Sequence, residues 1–240
     1  MAARSETTIP TSTLHHRGPH PGALAIVYMV LFIAGLSQVI SFTGAPHYPA
    51  PWEPAETMAS YFQLHPTPVL ICNFLQFGAT VPLGICIATI VSRLQFLGIR
   101  AAGVYIALFG GFTTVFDMMA GAHIGWAMIR PGIAQDPTLL RALYFIGYGL
   151  GGPGFSVPMG LFIAGVSITA WFAKLLPKWL IVFGMVLAVS GELSWISMVV
   201  PNAVFLIPLT RFPGFIWLIA VGFLLPSTTT RRIGPAASEG

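Results

Sequence analysis

Six long apolar stretches, separated by short polar breaks, run through nearly the whole of this 240-residue chain, and that pattern constrains the fold more than any motif does. A helix rises about 1.5 Å per residue and the hydrocarbon core of a bilayer is about 30 Å thick, so about 20 consecutive apolar residues make a spanning helix. The segments that qualify are 23–43, 69–92, 101–129, 139–172, 179–200 and 203–225. Composition agrees. Hydrophobic residues make up 55% of the chain and charged residues 8%, where a soluble domain carries roughly 25% charged. A membrane β-barrel would show short stretches of alternating polarity. These runs are continuous, so the expected fold is an all-α polytopic bundle of about six helices in contact with the lipid bilayer.

One span should be broken. Segment 139–172 holds Gly149, Gly151, Gly152, Pro153, Gly154, Pro158 and Gly160, a density of breakers that argues against one uninterrupted helix. The third and fourth segments exceed the length needed, which implies tilt, protrusion or a break. Pro208 and Pro213 stand near the start of the sixth, and only Pro201 and Asn202 part it from the fifth.

Basic residues are retained on the cytoplasmic side during insertion, which sets the expected orientation. With the N-terminus inside, the inner segments hold Arg4, Arg17, Arg93, Arg100, Lys174, Lys178, Arg231 and Arg232, and the outer ones only Arg130 and Arg141. Both termini are then cytoplasmic. The net charge of +4 follows from this topology without a nucleic-acid partner, and no basic run with interleaved aromatics suggests one. Residues 1–22, rich in Ser, Thr, His and Pro, read as a disordered cytoplasmic arm, with 23–226 as the membrane domain and 227–240 as a cytoplasmic tail. The first apolar run is longer than the core of a secretory signal and reads as an uncleaved span. His15, His16 and His20 belong to the solvated arm more naturally than to a metal site.

Between the first two spans, Pro54 suits a first helical position, Glu53 and Glu56 favour the positive helix end, and Ala55, Met58, Ala59 and Phe62 follow a helical spacing. A short amphipathic helix is expected there. It either lies on the outer surface and caps the bundle or acts as a lid over a ligand cavity, with Tyr48 and Trp52 in the interfacial aromatic belt. His47 and His65 flank this loop, but two histidines without a third ligand do not make a metal site. Cys72 and Cys86 lie about 21 Å apart along one helix and cannot join. No cofactor is implied.

Only Asp117, Glu192 and Arg211 fall deep within the spans. A charge at a helix centre costs about 2.5 to 3.5 kcal/mol on insertion scales, so each needs a partner. Counted from the span midpoints, all three are displaced toward the outer side by roughly 3 to 5 Å. Their shared depth predicts that Arg211 pairs with one or both acids. Helical spacing adds candidate lining residues: Thr113 with Gly110 and Gly121 on the stripe of Asp117, and Asn73, Gln76 and Thr80 on a polar face of the second span. His123 is offset from Asp117 and reads as an interfacial residue. Ser190, Ser194 and Ser197 read as interhelical contacts, since no histidine is spaced to activate them.

The segment Leu209-Thr-Arg-Phe-Pro-Gly-Phe-Ile-Trp-Leu-Ile-Ala-Val-Gly-Phe-Leu-Leu-Pro226, with the loop Pro54-Ala-Glu-Thr and a following His-Pro step, resembles an uncharacterised family of bacterial multi-pass membrane proteins classed as a domain of unknown function. The resemblance covers roughly residues 20 to 226. It implies a bacterial inner-membrane location and a six-helix layout, and carries over no activity, cofactor or catalytic residue. Three functions are open on this reading. A small-solute or proton-linked transporter or a membrane sensor would use the charged centre. An intramembrane enzyme would use Asp117 and Glu192 as its acid–base pair. An accessory subunit of a larger complex would use the charges only to lock helices. The sequence favours the first and does not fix the oligomeric state.

Overall fold

The computed structural model describes residues 11–40 and 46–232. It is an all-α bundle of helices α1 (Pro21–Leu36), α2 (Ala55–Leu64), α3 (Pro66–Phe96), α4 (Ala102–Met128), α5 (Pro137–Gly151), α6 (Pro153–Ala173), α7 (Lys178–Leu193) and α8 (Leu206–Leu224). Two short 3-10 turns, Ser194–Met198 and Pro201–Phe205, join α7 to α8. Five segments are long and apolar enough to cross a membrane: α3, α4, α5 with α6, α7 with its following turn, and α8 with its preceding turn.

The first expected span is shorter than read. Its helix has 16 residues, about 24 Å of rise, and ends at Ser37, whose hydroxyl bonds back to the Ala34 carbonyl. Residues 41–43, the last of the expected span, lie outside the described residues.

Helix ends follow local chemistry. Asp136 caps α5 by accepting from the amides of Thr138 and Leu139 at 2.9 and 3.0 Å, with Pro137 at the first turn where a missing N–H costs nothing. The expected discontinuity in the fourth span is present and falls at Gly152, whose backbone (φ −95°, ψ −102°) separates α5 from α6. Pro158 does not break α6, and Pro213 does not break α8. Neighbouring helices in a bundle can support a backbone that has lost one hydrogen bond.

Helices α1, α3, α4, α6, α7 and α8 pack in that order as a closed ring, with α8 returning to α1. Packing of α4 on α6 depends on small residues. A Cβ built on Gly110 would stand 2.5 Å from the Pro158 carbonyl oxygen, so only glycine permits this approach. Inside the ring, Trp217, Phe162, Leu83, Ile87 and Ile90 are fully buried, with the Phe162 and Trp217 rings edge to face at 5.9 Å. Outside it, large apolar side chains face away from the protein: Tyr105, Phe109, Phe112 and Phe116 on α4, and Trp179, Val182, Val186 and Val189 on α7. Both rows follow helical spacing. Apolar faces this continuous suit contact with the lipid bilayer.

The two ends of the bundle differ. At one end, residues expected to be a loose arm and tail instead pair: Thr11–His15 and Thr228–Arg232 form an antiparallel ladder with Thr13 opposite Thr230. The β-branched threonines supply the strand preference that a reading based on apolar periodicity passes over. His16 meets Ser92 at 3.0 Å and packs its ring on Phe96, while His20 caps α1 and packs on Phe223. Residues 1–10 and 233–240 lie outside the described residues. This strand end also carries Arg93, Arg100, Lys174 and Lys178, and the opposite end carries Arg130 and Arg141.

At the opposite, cap end, α2 is the expected amphipathic helix. Its Met58, Ala59 and Phe62 are buried against α5 and the start of α3, in a cluster with Val69, Met128, Leu140 and Tyr144. The Tyr144 hydroxyl donates to the Pro49 carbonyl, and Gln63 Nε2 to the Ala134 carbonyl at 2.7 Å. These bonds fix the loop and α2 as a cap. His47 bonds Glu53 at 2.8 Å, and Glu53 also accepts from the Ala50 amide at 2.8 Å.

Candidate functional site

The expected charge cluster does not form. Among the described residues Arg211 makes no ion pair with Asp117 or Glu192, and each of the three faces a different neighbour. A Cβ built on Gly154 would stand 3.2 Å from Asp117 Oδ2, and one built on Gly160 would stand 3.2 Å from Glu192 Oε1. Both acids therefore approach α6. Gly154 and Gly160 are six residues apart, about 240° around the helix and about 9 Å along it, so α6 stands between the two carboxyl groups. Residue counting gave depth along the membrane normal but not direction around each helix. That missing coordinate is why shared depth did not become contact.

Arg211 turns instead toward the break in the fourth span. Its Nη2 donates to the Gly151 carbonyl, which the break at Gly152 leaves without a helical partner beyond it. Its guanidinium lies over the Phe155 ring at 4.1 Å and near the Phe32 ring at 5.3 Å. Aromatic faces are negative, so they partly replace a counter-ion. Arg211 Nε is buried and donates to no partner among the described residues.

Arg211 also borders a cavity of about 410 Å³ in the cap-end half of the ring. Asn73 and Gln76 of α3 line it, as do Tyr144 and Tyr148 of α5 and Phe32 and Phe155. Among the described residues, Arg211 is the one side chain of fixed charge in this lining, and no Asp, Glu, Lys or His joins it. The amides are partly engaged: Asn73 Nδ2 donates to the Val69 carbonyl at 2.7 Å, and Gln76 Nε2 points at Cys72 Sγ at 3.6 Å. A second cavity, about 530 Å³, is lined by Trp52, Arg141 and Phe145 and shares Tyr148 with the first.

The other expected lining residues lie elsewhere. Thr80 and Thr113 spend their hydroxyls on the Phe77 and Phe109 carbonyls of their own helices, at 2.6 and 2.8 Å. Neither borders the cavity. Asp117 and Glu192 do not border it either. Glu192 Oε1 and Ser190 Oγ are buried without a partner, and Ser194 and Ser197 bond the Gly191 and Ser194 carbonyls. His123 packs on Phe77 with ring centroids 4.9 Å apart.

Sequence reasoning missed the aromatic partners of Arg211, because Phe32 and Phe155 read as ordinary core residues. It also missed Arg93, which was counted only as an orienting charge. Arg93 is buried at the strand end, where its Nη1 donates to the Leu225 and Gly222 carbonyls at 3.2 and 3.4 Å and so caps the last turn of α8. Its position at the end of a span, one turn before the loop, was the available signal.

No protein-family model, curated protein or solved structure matches this chain. The chain is shown to be a multi-pass helical membrane protein by its own composition, helix lengths and lipid-facing surfaces.

Proposed function

We propose that this protein carries a small anionic solute across the membrane, binding it in the Arg211 cavity. The observation that supports this is a guanidinium without a carboxylate partner among the described residues, held at the edge of a cavity about 410 Å³ in volume. A cation in hydrocarbon is costly unless it is compensated, and one carbonyl with two aromatic faces compensates it only in part. An anion entering the cavity would complete it. The volume sits in the lower part of the range of small-molecule sites.

A transporter is favoured over a fixed structural ion pair because Arg211 contacts the broken helix itself. Non-helical backbone at membrane depth is tolerated where it is buried in protein or lines a cavity, and interrupted helices recur at transporter sites. The basic residues gathered at the strand end support a cytoplasmic place for that end, with the cavity half then toward the outer side. Location in a bacterial inner membrane rests on the family resemblance. The enzyme reading loses its support, because Asp117 and Glu192 are separated by α6 and neither borders the cavity.

The test is a jump in concentration of short carboxylate salts applied to proteoliposomes on a solid-supported membrane, with melting curves recorded in parallel. A current in the parent that Arg211→Gln lacks supports transport. A melting shift without current makes the protein a sensor of the same ligand. Absence of both, for every anion tried, ends the reading.

A further inference from the structure

We infer that the solute is a small hydroxylated monocarboxylate, an inference that rests on the Arg211 cavity being a binding site. Its charge follows from the lining. Arg211 is the single fixed charge there, so one carboxylate neutralises the site, whereas a dianion would bring a second negative charge into a low-dielectric space with nothing to meet it. An ammonium group is disfavoured for the converse reason, since no Asp or Glu lines the cavity.

The second half of the ligand is read from α3. Asn73 and Gln76 are three residues apart and both line the same cavity, with the Asn73 amide also packed against Gly125 of α4. One N–H of Asn73 is spent on the Val69 carbonyl, and Gln76 is held toward Cys72. An amide group has two N–H donors and an oxygen with two lone pairs. Each side chain has one N–H so engaged, and its second N–H and its oxygen are the groups a guest would meet. A hydroxyl is the neutral group that gives and takes one hydrogen bond at once. An unhydroxylated acid would leave these amide groups unanswered, and a site built around polar groups rejects analogues that lack the matching group. Phe32 and Phe155, which flank the guanidinium, are suited to the carbon chain between the two polar ends.

The experiment uses the full chain in lipid nanodiscs at neutral pH and measures binding by calorimetry. Probes are ω-hydroxy acids of increasing chain length, each compared with its unhydroxylated acid, its dicarboxylate and its neutral diol. At the best chain length the hydroxy acid should bind about tenfold or more tightly than the plain acid, the gain of a well-made hydrogen bond in a closed site. The dicarboxylate should bind more weakly, and the diol not at all. In Asn73→Leu/Gln76→Leu the hydroxy acid should fall to the affinity of the plain acid. Equal binding of plain and hydroxylated acids by the parent, or tighter binding of the dicarboxylate, overturns the inference while leaving the anion site intact. If no acid binds the parent, the site reading fails and this inference fails with it. If the double variant does not fold, the ranking of ligands on the parent decides.

Discussion

Two arginines in this bundle, Arg93 of α3 and Arg211 of α8, lie by opposite ends of α8 and solve the cost of burial differently. Arg93 reaches α8 at its C-terminus, where two carbonyls and the negative end of the helix dipole receive it. Arg211 lies near the start of α8, where one carbonyl and two aromatic rings receive it and a cavity opens beside it. The first, whose Nε is likewise buried without a partner among the described residues, ties α3 to the last turn of α8. The second is left open on one side. Their difference teaches that a buried cation becomes a candidate site only when its compensation is partial and space adjoins it.

Removing Arg93 should therefore cost the most stability. Arg93→Leu deletes two hydrogen bonds from a charged donor and leaves the α8 carbonyls without their cap, a loss of about 2 to 3 kcal/mol. Unfolding in mixed micelles by SDS titration measures it. A variant as stable as the parent would show that the strand end does not depend on this contact, and the contrast between the two arginines would vanish.

Arg211→Leu should behave in the opposite way. It gives up one hydrogen bond and two ring contacts, but it also removes the cost of holding a charge within the membrane, so the net change should stay within about 1 kcal/mol. Solute-dependent stabilisation should disappear. Adding Asp117→Asn and Glu192→Gln to this background should restore nothing, because neither acid is the partner of Arg211 in the fold. A large loss in Arg211→Leu that the amide pair repairs would reinstate the three-charge cluster and sink the cavity reading. The same titration decides both points.

What the sequence made legible follows from how membranes constrain chains. Span length, continuous apolar runs and breaker density are one-dimensional signals, so the bundle, the α2 cap and the interruption near Gly152 could all be anticipated. Three-residue spacing puts Asn73 and Gln76 on one face, and both border the cavity, whereas Thr80, read onto the same face, does not. Contact across helices was not legible. Whether Asp117 meets Arg211 depends on the rotation of α4 and α8 and on α6 standing between the acids, and no residue count contains that information. The strand pair of the two tails was hidden for another reason. It joins residues more than 200 positions apart through backbone bonds, which leave little trace in side-chain periodicity.

The smallest expected effects concern pH and again separate the two ends. At the strand end, burial and then the nearby Arg93 charge hold His16 below its ordinary value of 6.5. Protonation is thus disfavoured in the fold. The contact of His16 with Ser92 should contribute above about pH 6.5 and weaken as pH falls through the depressed value. At the cap end, the Ala50 amide and then His47 hold the Glu53 carboxyl below its ordinary 4.5. Its contribution is present above that value and is lost as pH falls through the lower one. Hydrogen exchange, corrected for the intrinsic pH dependence, should show strand 11–15 loosening first as a sample is acidified and loop 47–53 only in stronger acid. Because both groups are only partly buried and each makes a local contact, each change should be a few-fold in exchange rate rather than a global transition. Simultaneous loosening of the two regions would mean that the ends of the bundle open as one unit, and the division between a closed strand end and an open cavity half would lose its physical basis.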